Sequence, residues 1–297
     1  MQNDKLGNYL KLHLIVFIWG FTAVLGALIT IDAIPLVWYR MLIASLFIAA
    51  FLWFKKINIK VSGRVLFGFI VTGILIALHW LCFFGAIKVA NVSVTLATIS
   101  TGAFFTAILE PIVYKRKIIW YELLFGALVI VGIAIIFHVE TDYALGIVLA
   151  LVAAFLASVF SLMNSFYVKK HKPSIISFYE LSSGALFITL YLLTKGKFTS
   201  QFFSLRHTDW LYLFLLASIC TAYAQIASVK VMRFISPFTV MLTTNLEPVY
   251  GIILAFIFLG ENEKMSPNFY VGAVIILVTV ILNGILKTIR KRKTLTY

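Results

Sequence analysis

The stretch VLFGFIVTGILIALHWLCFFGAI, Val65–Ile87, contains no Asp, Glu, Lys or Arg and is bounded by Arg64 and Lys88. A helix rises ~1.5 Å per residue, so about 20 apolar residues cross a hydrocarbon core ~30 Å thick. Val65–Ile87 meets that length, and as a helix it satisfies its own backbone polar groups, as lipid requires. Nine more such stretches lie on either side of it. They are Leu12–Ile31, Ile34–Phe54, Val92–Tyr114, Ile118–Phe137, Ala144–Val168, Ser174–Thr194, Trp210–Val229, Ser236–Leu259 and Phe269–Leu286. The whole chain is 62% hydrophobic and 12% charged, against ~25% charged in an average soluble domain. A soluble fold could not cover so much apolar surface. The predicted class is an all-α membrane protein of ten transmembrane helices. Its connectors are too short for a soluble domain, and the longest is Lys195–Asp209.

The net charge of +14 is placed for a membrane rather than for nucleic acid. With the N-terminus inside, 19 of the 25 Lys and Arg residues fall on inside segments. These include Lys55, Lys56, Lys60 and Arg64, then Lys115–Lys117, then Lys169, Lys170 and Lys172, and a tail from Lys287 to Lys293. Lys88, Lys195, Lys197, Arg206 and Lys264 fall outside, and Arg40 lies within a span. That bias predicts a multi-pass protein of the cytoplasmic membrane with both termini cytoplasmic. The tail can also meet anionic headgroups. The first apolar stretch lacks a small-residue cleavage site and reads as a true span, not a signal peptide. Cys82 and Cys220 both lie inside spans and read as small packing residues. His13, His79, His138, His171 and His207 are scattered, with no metal-ligand spacing. No metal or cofactor is expected.

Two fives are related within the ten. A shift of 140 places Tyr39 on Tyr179, Leu46 on Leu186 and Phe47 on Phe187. A shift of 145 places Lys88 on Arg233, Thr98 on Thr243, Ile108 on Ile253, Leu109 on Leu254 and Ile112 on Ile257. The change of offset has a source, because Lys55–Arg64 has ten residues and its counterpart Lys195–Asp209 has fifteen. Five is odd, so the second half enters the membrane from the opposite side, and the repeats are inverted. The expected division is 1–140 for the first repeat, 141–290 for the second and 291–297 for a basic cytoplasmic tail.

Along essentially its whole length the chain resembles the EamA-type members of the drug/metabolite transporter superfamily. The resemblance rests on LEPVYGIILAFIFLGE, Leu246–Glu261, which is similar to the family's ninth-span pattern ending in Leu-Gly-Glu. Phe17-Ile-Trp-Gly20 resembles its first-span Trp-Gly element, and Trp38-Tyr-Arg40 its second-span Arg. The fourth span departs from the pattern, ending Tyr114-Lys-Arg-Lys117 with Glu110-Pro111 a turn earlier. The resemblance implies two inverted five-helix repeats around a central cavity, and alternating-access transport of amino acids, related metabolites or drugs. It also makes Trp19 a cavity candidate.

Charged groups at mid-span cost ~2.5–3.5 kcal/mol each on insertion scales, so the few present need a reason. Glu247 is twelfth of the 24 residues in Ser236–Leu259, with Thr243, Thr244 and Tyr250 on its side of the helix and Pro248 predicted to kink it. A carboxylate beside freed carbonyls can bind an ammonium group or carry a proton; it can equally fix the kink. Thr95, Thr98 and Gly102, with Ser100 and Thr101, offer a polar face from the fourth span, or a close-packing one. Ser158 and Ser161 in the sixth span allow the same two readings. Arg40 lies ~9 Å into its span by helical rise, where it can neutralise a substrate carboxylate, snorkel, or pair with Asp32. Its repeat mate is Glu180, and a structural role is favoured for both. Glu110 is a weaker coupling candidate. His79, Trp80 and Gln225 can form walls or gates of a cavity, Trp80 and Gln225 being repeat-related. Asn164 and Tyr179 are weaker candidates near the inside end. Trp53, Trp120 and Trp210 suit interface anchors.

The function these features favour is a secondary transporter of small metabolites, with export of amino-acid-like compounds leading and the lipid bilayer as its surroundings. Multidrug transport and sugar-phosphate or nucleotide-sugar exchange are the alternatives, the latter weakened because Arg40 is the one cation placed within a span. No GxxxxGK[ST] phosphate loop occurs, which argues against primary pumping. No catalytic pair is spaced for an intramembrane enzyme. A scaffold would have no use for inverted repeats.

Overall fold

The computed structural model describes residues 2–115, 120–139, 141–235 and 237–294. Arg116, Lys117, Ile118, Ser236 and the last three tail residues, to which topology and span expectations attach, lie outside the described residues, as does the side chain of Trp120. Among the described residues every regular element is helical. In chain order they are α1 (Gln2–Leu28), α2 (Ala33–Phe54), α3 (Gly63–Val89), α4 (Val92–Ile99), α5 (Gly102–Val113), α6 (Trp120–Val139) and α7 (Ala144–Tyr167). There follow α8 (Pro173–Thr194), α9 (Ser200–Phe203), α10 (His207–Ala217), a π turn (Ser218–Tyr223), α11 (Ala224–Val231), α12 (Pro237–Thr244), α13 (Glu247–Leu259) and α14 (Pro267–Thr294). Seven helical segments are long and apolar enough to span a bilayer: Leu6–Leu28, Ala33–Phe54, Gly63–Val89, Val92–Val113, Thr141–Tyr167, Pro173–Thr194 and His207–Val231. Three shorter apolar helices, Leu124–Ile136, Glu247–Leu259 and Pro267–Thr279, fall where the remaining spans were expected.

The ninth expected span is not one kinked helix. Asn245 and Leu246 separate α12 from α13, and Glu247 and Pro248 open a new helix. Proline has no N–H to offer the Thr244 carbonyl, and its fixed φ suits the first turn of a helix, so Pro248 starts α13 instead of bending a continuous one. The Leu246 N–H tightens to Thr243 O at 3.0 Å, a three-residue turn, before α13 begins. The fourth expected span breaks in the same way at Ser100 and Thr101. There the hydroxyls turn back on the helix, Ser100 Oγ donating to Ala97 O at 2.6 Å and Thr101 Oγ1 to Thr98 O at 2.8 Å. Such side-chain bonds compete with the helical ladder. Ser100 and Asn245 are 145 residues apart, the offset seen in the sequence.

Contacts between loops fix the two ends of the bundle. At one end Thr30, at the close of α1, donates its N–H and its hydroxyl to Asp209 at 2.7 and 2.6 Å. Glu263 there accepts the N–H groups of Val92 and Ser93, at 3.1 and 2.8 Å, where α4 begins. At the other, basic end, Arg233 donates to Val168 O at 2.8 Å and His171 O at 2.6 Å, and Tyr179 Oη to Ile59 O at 3.0 Å. Lys88 Nζ donates to Ile29 O. Lys88 and Arg233, related by the 145 shift, thus each meet carbonyls just past the C-terminal end of a helix, α1 and α7, where a cation is favoured.

Glycine pairs bring helices into backbone contact. A Cβ on Gly132 of α6 would lie 3.0 Å from Gly272 O, and one on Gly272 of α14 would lie 2.9 Å from Gly132 O. Gly20 of α1 and Gly251 of α13 are packed as tightly, a Cβ on Gly20 meeting Gly251 N at 3.0 Å. Helices in lipid associate through such small-residue contacts because apolar burial offers no gain there. Large apolar side chains such as Leu46, Trp53, Phe67, Ile130, Leu186 and Ile257 are exposed, as a lipid-facing surface requires. This arrangement fits two repeats. The five extra residues of the second half do not hang free: they include α9, and Phe198, Phe202 and Phe203 pack with Trp38 and Tyr39 over the start of α2.

Candidate functional site

The two helix breaks face one cavity. It is lined by Trp19 and Thr22 of α1, Arg40 of α2, His79, Trp80 and Phe83 of α3, Ser100, and Phe160, Ser161 and Asn164 of α7. Gln225, Ser228 and Met232, then Met241, Thr244, Asn245, Glu247 and Pro248, close it from the second half. Its volume is about 100 Å³. From Trp19, Arg40 and Glu247 it runs towards Asn164 and Met232 and the basic end.

Arg40 is 1% exposed and does not snorkel. Its guanidinium carbon lies 3.9 Å from the Trp80 ring centroid, and Nε donates to Thr221 Oγ1 at 2.6 Å. Nη2 reaches Cys220 O at 3.5 Å, while Nη1 is buried with no partner. The acceptors exist because the π turn interrupts the normal ladder, with Thr221 Oγ1 bonding back to Leu216 O at 2.6 Å. A stacked, buried guanidinium with a free donor is suited to hold an anionic group. Asp32 is not its partner.

Glu247 stands in the first turn of α13, where the helix dipole favours a negative charge. It is buried and interacts electrostatically with Arg40. Asn245, in the break, presents an unpartnered Nδ2. His79 Nδ1 bonds Ala153 O at 2.8 Å, so Nε2 is the acceptor of the neutral ring.

Of the residues singled out from sequence, Glu247, Thr244, Trp19, His79, Trp80, Gln225 and Arg40 meet at this cavity. Others do not line it. Thr98 is buried, its carbonyl taken by the Thr101 hydroxyl. Ser158 closes α7 on α5, its Oγ donating to Gly102 O at 2.7 Å. Thr243, in the last turn of α12, is not among the lining residues. Glu110 is buried in the last turn of α5, next to Pro111. Tyr179 is bonded to Ile59 O at the basic end. Thr22, Phe83, Phe160, Ser228 and Asn245 line the cavity without having been singled out. Asn245 carried a signal, since it stands 145 residues after Ser100 and two before Glu247. The two cysteines are free, and among the described residues no His, Cys, Asp or Glu cluster could hold a metal.

The chain resembles known proteins over nearly its full length. A model of the EamA-like transporter family matches residues 8–138 and again 144–285. An "uncharacterized transporter" of Archaeoglobus fulgidus is 24% identical over 290 residues, spanning 95% of this chain and 98% of that one. A solved crystal structure of another protein superposes with a TM-score of 0.69 at 13% identity, covering 94% of this chain and 98% of the other, and so shares the fold. The two family matches, one on each half, join seven spanning segments, three shorter apolar helices and one polar cavity in a single assignment: the chain belongs to the EamA-like transporter family, a multi-pass membrane transporter of the drug/metabolite type and not an enzyme.

Proposed function

We propose that the protein is a secondary carrier that exports small amino-acid-like metabolites across the cytoplasmic membrane by alternating access. The observation that carries this reading is the presence of Arg40 and Glu247 together in the lining of one buried cavity bordered by the broken helices. Discontinuous helices place helix ends and unpaired backbone at mid-membrane, where a polar solute loses its water. Arg40 Nη1 and Asn245 Nδ2 are donors awaiting an acceptor and suit a carboxylate. Glu247 suits an ammonium group, or a proton exchanged for it. Trp19, Trp80, Phe83 and Phe160 suit the apolar part of such a solute.

In this reading residues 1–140 and 141–290 are the inverted repeats, 291–297 is a basic tail, and both termini are cytoplasmic. The apolar walls and the single buried acid beside them support a second reading, export of cationic amphiphilic drugs. Sugar-phosphate exchange is less well served by one cation. The decisive experiment is efflux from proteoliposomes loaded with labelled amino acids, amines or nucleotide sugars, guided by a thermal-shift screen, since a ligand stabilises by RT ln(1 + [L]/Kd). Saturable efflux of amino acids alone supports the proposal; efflux confined to another class overturns it.

A further inference from the structure

Behind the cavity wall lies a second carboxyl group that substrate binding at Arg40 and Glu247 does not use. Glu180 of α8 is 0% exposed. Its Oε2 receives two donors, Asn164 Nδ2 at 3.5 Å and Gln225 Nε2 at 3.4 Å, while Oε1 has none. The amide oxygen of Asn164 is also buried without a partner. Buried polar atoms are nearly always satisfied, and an ionised carboxylate with a bare oxygen in a dry site is costly. One added proton answers both vacancies. On Glu180 Oε1 it becomes a donor, and the Asn164 amide, already bonded to the same carboxyl, offers its unpartnered Oδ1 as acceptor. Acid and amide then form a closed pair, Nδ2–H donating to Oε2 and Oε1–H donating to Oδ1.

We propose that Glu180 and Asn164 form a proton-binding site separate from Glu247, linked to the cavity through Asn164 and Gln225. Both amides line the cavity as well as touching Glu180. An occupant that takes the Asn164 amide oxygen removes the acceptor of the Glu180 proton. Occupancy of that oxygen therefore weakens the hold of Glu180 on its proton, while the two amide donors stay on Oε2.

The groups packed around Glu180 leave the proton to it. From α7 the titratable neighbour is the phenol of Tyr167, which interacts electrostatically with Glu180. α3 presents Gly73, whose absent Cβ would lie 2.2 Å from Glu180 O, and α2 presents Met41 against Gly184. α11 presents the neutral Gln225. The charged or titratable groups elsewhere on these elements are engaged in other surroundings. Arg40 is stacked on Trp80, His79 is bonded to Ala153, and Lys230 is exposed. The site is therefore not an ion pair. The sequence pairs Glu180 with Arg40 as repeat mates, and the structure keeps that relation with the charge inverted: Arg40 leans on Trp80 and Glu180 on Gln225, positions 145 apart.

Infrared difference spectroscopy of the purified protein in lipid nanodiscs, across a pH series in H2O and D2O, reads the proton directly and needs no substrate. It therefore stands or falls separately from the proposed transport of amino acids. Wild-type protein should show a protonated-carboxyl C=O band at neutral pH that shifts in D2O. E180Q should lose one carboxyl's worth of that band, and E247Q should retain it. A band unchanged in size and position in folded E180Q would overturn the proposal. Should E180Q fail to fold, Asn164→Leu decides: without the amide acceptor the band must move to higher frequency, and an unmoved band would sink the idea.

Discussion

The guanidinium carbon of Arg40 lies over the Trp80 ring, 3.9 Å from its centroid, and Nε donates to Thr221 Oγ1 at 2.6 Å. Lysine carries the same charge but has neither the plane to stack nor the fork to bond while leaving one donor free. R40K should therefore weaken binding of a carboxylate-bearing ligand about tenfold, ~1.4 kcal/mol, with little change in the amount of folded protein. Thermal-shift titration of both proteins against the ligand identified in the screen checks this. Equal affinities would mean that Arg40 holds helices together and nothing more.

Glu247→Gln keeps the side-chain volume while replacing the carboxyl group at the head of α13. Flux in proteoliposomes, and any response to a pH gradient, should fall sharply. Glu110→Gln, off the cavity in α5, should do less. Wild-type rates in E247Q at equal amounts of folded protein would reduce the residue to a packing role.

Gly132 and Gly272 leave no room for a side chain, with a Cβ on either within 3.0 Å of the other's carbonyl. Gly132→Leu should destabilise the protein by ~1–3 kcal/mol through overpacking. Gly7→Leu, where an added Cβ meets nothing within 4 Å, is the control. Melting in detergent or nanodiscs compares them; equal midpoints would show that α6 and α14 cross elsewhere.

The clasp between Thr30 and Asp209 joins α1 to α10 at the end opposite the basic loops. With Cys82 and Cys220 replaced, a disulfide or short cross-linker between T30C and D209C should hold that end shut and stop flux until reduced. Transport that survives complete cross-linking would rule out rocking of the halves about the centre.

Cysteines placed near Asp142 and Asn262 should react with an impermeant thiol reagent on intact cells, and those near Lys60, Lys117 and Lys172 should be shielded. The opposite labelling would invert the orientation read from the Lys and Arg bias.

The spans were legible because lipid imposes one crude demand, some twenty apolar residues at a time. Val65–Ile87 lies inside α3, which runs Gly63–Val89. The breaks were harder. Pro248 announced a disturbance, but a kink and a new start look alike in sequence, and only the turn at Asn245 and Leu246 separates them. Ser100 and Thr101 break α4 from α5 without any proline, through hydroxyls that also serve ordinary packing. Cavity residues followed the same rule. Arg40 and Glu247 stood out because charge in lipid is expensive. Thr221 did not, because its role depends on a π turn that no side-chain pattern signals. Glu180 read as a structural charge, since its partners Asn164 and Gln225 lie 16 and 45 residues away along the chain.

The aromatic lid formed by Phe198, Phe202 and Phe203 on Trp38 and Tyr39 belongs to the longer loop of the second half, which exceeds its counterpart Lys55–Arg64 by five residues. Perfectly matched inverted repeats would make the two facing states related by a two-fold rotation and equal in free energy, each occupied half the time. On the proposed mechanism, an aromatic cluster on one side alone would break that degeneracy and give the empty carrier a preferred resting orientation, as a small free-energy difference between two states must. In such a carrier it would act as a doorstop rather than a motor: it would set how long the binding site waits on each side, while solute and ion gradients alone would decide which way the cargo goes.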